Sequence, residues 1–236
     1  MEIGMEQPMT EEQPTTQGKS ALTSGIIIVA IMFAISAWAW LQLPADAQIP
    51  VHWGVSGQPD RYGGKIEGLL LMPLIGLGLV ALFAIIPRVE PRKSNIMRSQ
   101  KAYGVVRLGV LLFLLGIHIV TVLSTLGYPI DINFMIGLGT GLLFIVMGNY
   151  LGKVRSNFMF GIRTPWTLTS DLAWNKTHRL GGWLFVLSGV LIILCAIVAP
   201  QWIVGAILLG ALGTAGITTV YSYRVWKDDP NKRAGE

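Results

Sequence analysis

Four groups of residues have types and spacings that could do chemistry. His52 and Asp60 lie eight residues apart in a stretch rich in Pro and Gly. Imidazole and carboxylate are both metal ligands, but a site needs more donors than two, and a structural role is the stronger reading. Asp171 and His178 are seven apart, two turns of one helix, with Trp174 between them at helical spacing. A base oriented by an acid would need a nucleophile beside it. Thr167 and Ser170 are near in sequence, yet nothing in the pattern requires them there. His118 stands alone inside an apolar run, with Thr121 and Thr125 at i+3 and i+7. Such a residue is either a proton or ligand site or a packed neutral ring with one interhelical hydrogen bond. Cys195, the sole cysteine, has no partner for an internal disulfide and reads as a small buried hydrophobe. No H-E-x-x-H, G-x-S-x-G or P-loop motif is present, no cofactor is implied, and the chain is not expected to be an enzyme.

These residues must be held by elements suited to lipid. Of the 236 residues, 52% are hydrophobic and only 13% charged, and the mean hydropathy is +0.57. A soluble domain carries about twice that share of charge. Six windows are long and apolar enough to cross a bilayer: 21–43, 68–86, 108–126, 132–151, 180–199 and 202–221. None contains Asp, Glu, Lys or Arg. The expected fold is an all-α polytopic membrane protein with six transmembrane helices and ordered outer and inner loops. Pro73 falls near the start of the second window, where a missing N–H costs little. Only Pro200 and Gln201 separate the last two windows, which predicts a tight helical hairpin. Gly137 and Gly141, like Ala206 and Gly210, have the small-xxx-small spacing of close helix contacts.

Orientation follows from Lys and Arg. With six crossings, sixteen of the eighteen fall on one side and only Arg61 and Lys65 on the other. This predicts a plasma-membrane protein with both termini in the cytoplasm. The net charge of +5 then faces anionic lipid rather than nucleic acid. Trp38, Trp40, Tyr128 and Trp202 fall near the expected outer ends, and Tyr103, Trp183, Tyr221 and Trp226 near the inner ends. Residues 1–20 read as a disordered cytoplasmic tail, 21–87 as a two-span unit with outer loop 44–67, and 88–107 as a basic linker. Residues 108–222 read as a four-span unit carrying the inner loop 152–179, and 223–236 as a second cytoplasmic tail. Ala45-Asp46-Ala47 has the A-x-A form of a cleavage site, but the acidic leader and the long apolar run favour a retained first span.

Two loops are patterned. The outer one, with His52, Trp53, Gly57, Pro59, Asp60 and Lys65, holds three Pro and four Gly and reads as a series of turns, with a short extended piece around His52. The inner one should stop any helix at Thr164-Pro165 and start a new one from Thr169, Ser170 or Asp171. It reads as an ordered collar, with Phe158, Phe160 and Trp166 dipping into the membrane interface, Lys176 and Arg179 facing lipid phosphates, and Arg163, Asp171 and Trp174 locking the loop. The basic linker reads as a topology determinant with lipid contacts.

The run from Asn157 to Arg179, with Gly161-Ile162-Arg163-Thr164-Pro165-Trp166-Thr167 and Trp174-Asn175-Lys176-Thr177-His178-Arg179, resembles the signature of SdpI-like membrane proteins. Residues 49–65 resemble an uncharacterised N-terminal membrane domain often joined to it. The resemblance implies a bacterial plasma-membrane protein that gives immunity against a secreted membrane-active toxin. It also implies a possible receptor role, in which a cytoplasmic transcriptional repressor is held at the membrane. The signature positions carried over are Arg155, Asn157, Gly161, Arg163, Thr164, Pro165, Thr167, Asp171, Trp174, Thr177, His178 and Arg179. The alternative is a small transporter or channel, with His118, Asn133 and Asn149 lining a path.

Overall fold

The computed structural model describes residues 16–232, with the side chains of 16–21 left aside. Most of the expected N-terminal tail and the last four residues lie outside the described residues. Six helices are long and apolar enough to span a membrane. They are α1 (Thr16–Gln42), α2 (Lys65–Val89), α4 (Gln100–Thr125), α5 (Ile132–Leu151), α7 (Asp171–Val198) and α8 (Ile203–Lys227). Two short helices, α3 (Lys93–Arg98) and α6 (Pro165–Thr169), lie between them, and strands β1 (Ile49–Trp53) and β2 (Pro59–Gly63) follow α1. The protein is an all-α polytopic membrane protein with one small hairpin. The helices run past the apolar windows, because polar residues at a span's ends can reach water while the backbone stays helical.

The helices pack in two groups. In the first, Ile28, Val29 and Met32 of α1 meet Val80 of α2 and Leu111 of α4. Nearer the β-hairpin, Ala39, Ile49, Leu69 and Val122 form a second cluster. In the other group, α5, α7 and α8 come together around Ile192, Ala196 and Ile203. Here glycines set the distance. A Cβ at Gly148 would lie 2.5 Å from the Gly182 carbonyl oxygen, and one at Gly141 would lie 2.7 Å from that of Gly189. The expected small-residue contact is therefore a backbone-to-backbone crossing of α5 on α7 at Gly141, while Gly137 makes room for the Ala196 and Ile203 side chains, and lipid-embedded helices gain from such close approach. A 3₁₀ turn, Pro200–Trp202, joins α7 to α8 as the expected hairpin.

Two prolines lie inside α2, and each leaves a carbonyl without its helical donor. Pro73 is not near the helix start, as its place in the apolar window suggested, because α2 begins eight residues earlier at Lys65. The carbonyl it frees, Leu69, accepts from Ser36 Oγ of α1 at 2.6 Å. Pro87 frees Phe83, whose carbonyl accepts from the Tyr103 hydroxyl of α4 at 2.8 Å. Tyr103 is thus buried between helices and does not sit in an interfacial belt. Trp38, Trp202 and Tyr128 are exposed near helix ends, as amphipathic rings should be, and Trp183 is exposed midway along α7.

Candidate functional site

The two patterned loops lie at opposite ends of the bundle. At the hairpin end, β1 and β2 pair antiparallel, Ile49 with Gly63 and Trp53 with Pro59, with an irregular register between. The loop is a strand pair rather than a chain of turns. Gly57 closes the turn at φ +76°, a conformation that favours glycine. A Cβ there would meet the amide of Asn133 at 2.8 Å, so the tip leans on the start of α5. His52 Nδ1 and Asp60 Oδ1 lie 2.5 Å apart across the strands, both exposed. They bond directly to each other and brace the hairpin. Trp53 is half-buried below them. The Lys65 ammonium does not face outward as a free ligand contact. It donates to the Trp40 and Leu43 carbonyls at 2.8 and 2.6 Å and so caps the end of α1.

At the other end, the signature loop is folded around two buried side chains, Asn157 and His178. The Asn157 amide donates to the Arg155 and Phe160 carbonyls at 2.9 and 3.0 Å. Its oxygen accepts from the Met159 and Phe160 N–H groups at 2.9 and 2.7 Å. One fully buried side chain thereby supplies the polar partners that this loop lacks as secondary structure. His178 accepts from the Ile162 N–H at Nε2, 3.0 Å away, and its Nδ1 faces the Trp174 carbonyl at 2.9 Å. A donor on one side and an acceptor on the other specify the neutral ring protonated at Nδ1. Gly161, at φ +111°, brings the chain against this ring, where any side chain would collide.

Trp174 stacks on His178 with ring centroids 4.0 Å apart and planes at 19°. Its indole N–H donates to the Val154 carbonyl at 2.7 Å. Thr164 caps α6, accepting from the Thr167 N–H at 3.1 Å, while Thr167 Oγ1 accepts from the Thr164 N–H at 2.9 Å. Pro165 therefore does not merely stop a helix. It occupies the first position of a new one, where its fixed φ fits and its missing N–H is not needed. Ser170 caps α7 through the Ala173 N–H at 2.9 Å. Thr177 is fully buried, with its hydroxyl unpaired.

The expected lock through Arg163, Asp171 and Trp174 is only partly present. Arg163 is exposed but clasps the Phe158 carbonyl at 2.6 Å. Asp171 is exposed on the first turn of α7 and holds nothing in the loop, since Ser170 takes the capping role. Phe160 does not dip into the interface. It turns inward against Tyr103, edge to face at 5.7 Å. Trp166 is half-buried against Tyr223, and Phe158 lies exposed under the Arg92 guanidinium, 4.6 Å away.

The basic linker is half of the collar, which its bland composition concealed. Glu90, its one acid, is completely buried. Its carboxylate accepts from the Arg92 N–H at 2.9 Å and the Phe158 N–H at 3.1 Å. The Arg92 guanidinium donates to Ser156 Oγ and, at 3.1 Å, to the Leu168 carbonyl. Asn95 donates to the Ser156 carbonyl at 2.7 Å, and Ser99 Oγ accepts from the Arg155 N–H at 2.8 Å. Helix α3 and its flanks therefore hold the signature loop against the bundle. The tail closes the third side, where Ser170 Oγ donates to Asp229 Oδ2 at 2.5 Å. That hydrogen bond, and a second from the Asn231 N–H at 2.9 Å, hold the Asp229 carboxyl below the usual carboxylate range. Arg155, Arg163, Asp171, Lys176 and Arg179 are left facing out.

His118 is fully buried and meets Ser36 Oγ through Nε2 at 3.0 Å. Ser36 gives its proton to Leu69, so the imidazole donates to the serine oxygen. Thr121 and Thr125 bond back to their own helix and form no stripe with it. Asn133 lies under the hairpin tip and Asn149 lines a cleft at the collar end, so neither joins His118 in a path.

Comparison with known proteins follows the same two regions. Residues 153–222 match the model of the SdpI/YfhL protein family, and residues 27–77 match a domain of unknown function (DUF1648). The chain is 27% identical over 202 residues to the immunity protein SdpI of Bacillus subtilis, covering 86% of this chain and 94% of that protein. It is 33% identical over 75 residues to an uncharacterized protein of Archaeoglobus fulgidus, covering 32% of this chain and 36% of that one. No solved structure matches it significantly.

Proposed function

Residues 153–222 make this chain a member of the SdpI/YfhL protein family, and on that premise we propose that it is an integral membrane immunity protein. It protects its cell against a secreted, membrane-active toxin. The observation that carries this reading is the end-to-end likeness to an immunity protein, which spans both the hairpin end and the collar end. The hairpin, with His52 and Asp60 at its surface and Trp53 half-buried, is the toxin-facing end, and the collar is cytoplasmic. Both termini then lie in the cytoplasm of a bacterial plasma membrane, in line with the side on which Lys and Arg concentrate.

The finer part of the proposal concerns the collar. Its backbone is held rigidly by Asn157, His178, Glu90 and Arg92, while Arg155, Asp171 and Arg179 project into solvent. A rigid loop with exposed charges is a docking face, and a cytoplasmic transcriptional repressor captured after toxin engagement is its partner in this reading. Such a response requires two states of the bundle with different toxin affinity.

Expression in a toxin-sensitive bacterium tests the first part. Survival in the presence of the toxins secreted by the producing strain is the expected result, and unaltered killing by all of them would refute it. Crosslinking from Arg155 or Asp171 tests the second. Repressor captured only after toxin exposure supports the receptor, and equal capture with or without toxin makes the collar a constitutive anchor.

A further inference from the structure

The crossing of α5 and α7 at the collar end leaves a cleft of about 530 Å³. It exists because the helices touch through bare backbone. Gly148 and Gly182 meet carbonyl to Cα, and Gly152 lies against the Arg179 backbone. The Val186 side chain packs against Gly148, and the cleft opens beside this contact. Its walls carry Asn149 and Lys153 from α5 and the residues after it, and Asn175 and Arg179 from α7. The lining contains two cations and two amides but no carboxylate.

None of these four side chains is used to hold the collar. Asn149 donates to its own helix, at the Ile145 carbonyl, and is otherwise exposed. The Lys153 ammonium rests over the Tyr150 ring at 4.5 Å, a contact that orients a cation without neutralising it. Arg179 and Asn175 are exposed. The cleft ends toward the membrane at Trp183 and Val186. Trp183 is 71% exposed, and below it Leu187, Leu191 and Leu194 form an exposed apolar stripe along α7. Cations and amides at a helix end, followed by an indole and then an aliphatic stripe, reproduce in order the headgroup, interface and acyl region of a bilayer leaflet.

We propose that the Gly148–Gly182 notch is a binding site for an anionic phospholipid, with the phosphate between Lys153 and Arg179 and an acyl chain along Trp183 and Val186. Arg179 can address two phosphate oxygens through its planar fork, and Lys153 supplies a point charge from the opposite wall. The apolar continuation selects a lipid over free phosphate. The site does not depend on the immunity reading. It also gives the exposed signature residue Arg179 a role that loop packing does not.

The test uses the full chain in detergent, titrated with phosphatidylglycerol or phosphatidylcholine and followed by native mass spectrometry. Phosphatidylglycerol should be retained at a concentration roughly tenfold lower than phosphatidylcholine, as expected for two cations near a headgroup. The Lys153→Gln/Arg179→Gln double variant should lose that difference. Lys176→Gln, exposed on the same helix but outside the cleft, should keep it. Should the double variant not purify, each single variant is expected to lose part of the preference. Equal retention of the two lipids, a preference that survives without both cations, or the same loss in Lys176→Gln would overturn the site. Displacement of phosphatidylglycerol by millimolar inorganic phosphate would overturn the lipid assignment.

Discussion

Ser170 Oγ and Asp229 Oδ2 lie 2.5 Å apart, joining the first cap of α7 to the chain segment that leaves α8. The serine oxygen also caps α7, so one hydroxyl serves helix and tail together. The carboxylate is held below its ordinary pKa, first by Ser170 and then by the Asn231 N–H. A depressed carboxylate contributes stability above its unfolded pKa of about 4, and that contribution is lost as pH falls through the lower folded value. Protection of the amides of Asp229, Asn231 and Lys232, taken relative to their intrinsic exchange at each pH, should therefore persist from neutral pH down to about 4 and be lost below it. Asp229→Asn should show low protection at every pH. Ser170→Ala should release the tail and cost about 1 kcal/mol in thermal stability through the lost cap.

His178 couples Ile162 to Trp174 across the signature loop. Replacing it with Phe keeps the stacking on Trp174 but leaves the Ile162 N–H without its acceptor, while the Trp174 carbonyl keeps its helical donor. An unpaired buried group costs about 1–3 kcal/mol, so the loss should be a few degrees of melting temperature in detergent. His178→Gln, which can still accept from Ile162, should lose less. Trypsin cleavage at Arg155 and Arg163 should accelerate in the order Phe, Gln, native. Equal cleavage rates in all three proteins would mean that the ring does not hold the loop.

The glycines of α5 and α7 all meet a neighbouring chain segment, whereas several on α8 do not. A Cβ at Gly182 would lie 2.7 Å from the Gly148 carbonyl, whereas Gly213 on α8 has open space around it. Gly182→Val must push the helices apart and should cost about 1–3 kcal/mol, as overpacking does. Gly213→Ala should be neutral or slightly stabilising, because Ala is the better helix former. Melting curves of the two variants in one detergent would show whether the crossing is as close as described. Similar midpoints would argue against it.

What could be read from residue order was what repeats along it. Long uncharged runs exposed all six spans, and the run Thr169-Ser170-Asp171 bracketed the start of α7 without singling out Ser170 as its cap. Two of the failures share a cause, since each involves a partner far away in sequence. Glu90 is a lone acid in a basic stretch until the fold brings the Phe158 N–H to it. Phe160 is as apolar as Phe158, and only the position of Tyr103 decides which ring turns inward. Asp171 is a better N-cap by type than by place, because Ser170 has the extended backbone that a cap requires. The hairpin was half visible. Its turn residues were evident, but Pro59 within a strand argues against pairing unless that strand is at an edge, as β2 is.

Pro73, Ser36 and His118 form a chain in which each group answers the vacancy left by the one before. Proline removes the donor for Leu69, Ser36 supplies one from α1, and the imidazole of α4 supplies a donor to the serine in turn. In lipid no water can take these places, so three helices are tied by one missing N–H. Ser36→Ala should cost about 1 kcal/mol, near the middle of the range for polar contacts inside membranes. Pro73→Ala restores the helical donor to Leu69, and the same Ser36→Ala change made in that background should cost less. A thermodynamic cycle of the four proteins, read from unfolding in mixed micelles, should give a coupling of about 0.5 kcal/mol or more. Strict additivity would show that Ser36 packs beside the Leu69 carbonyl without serving it.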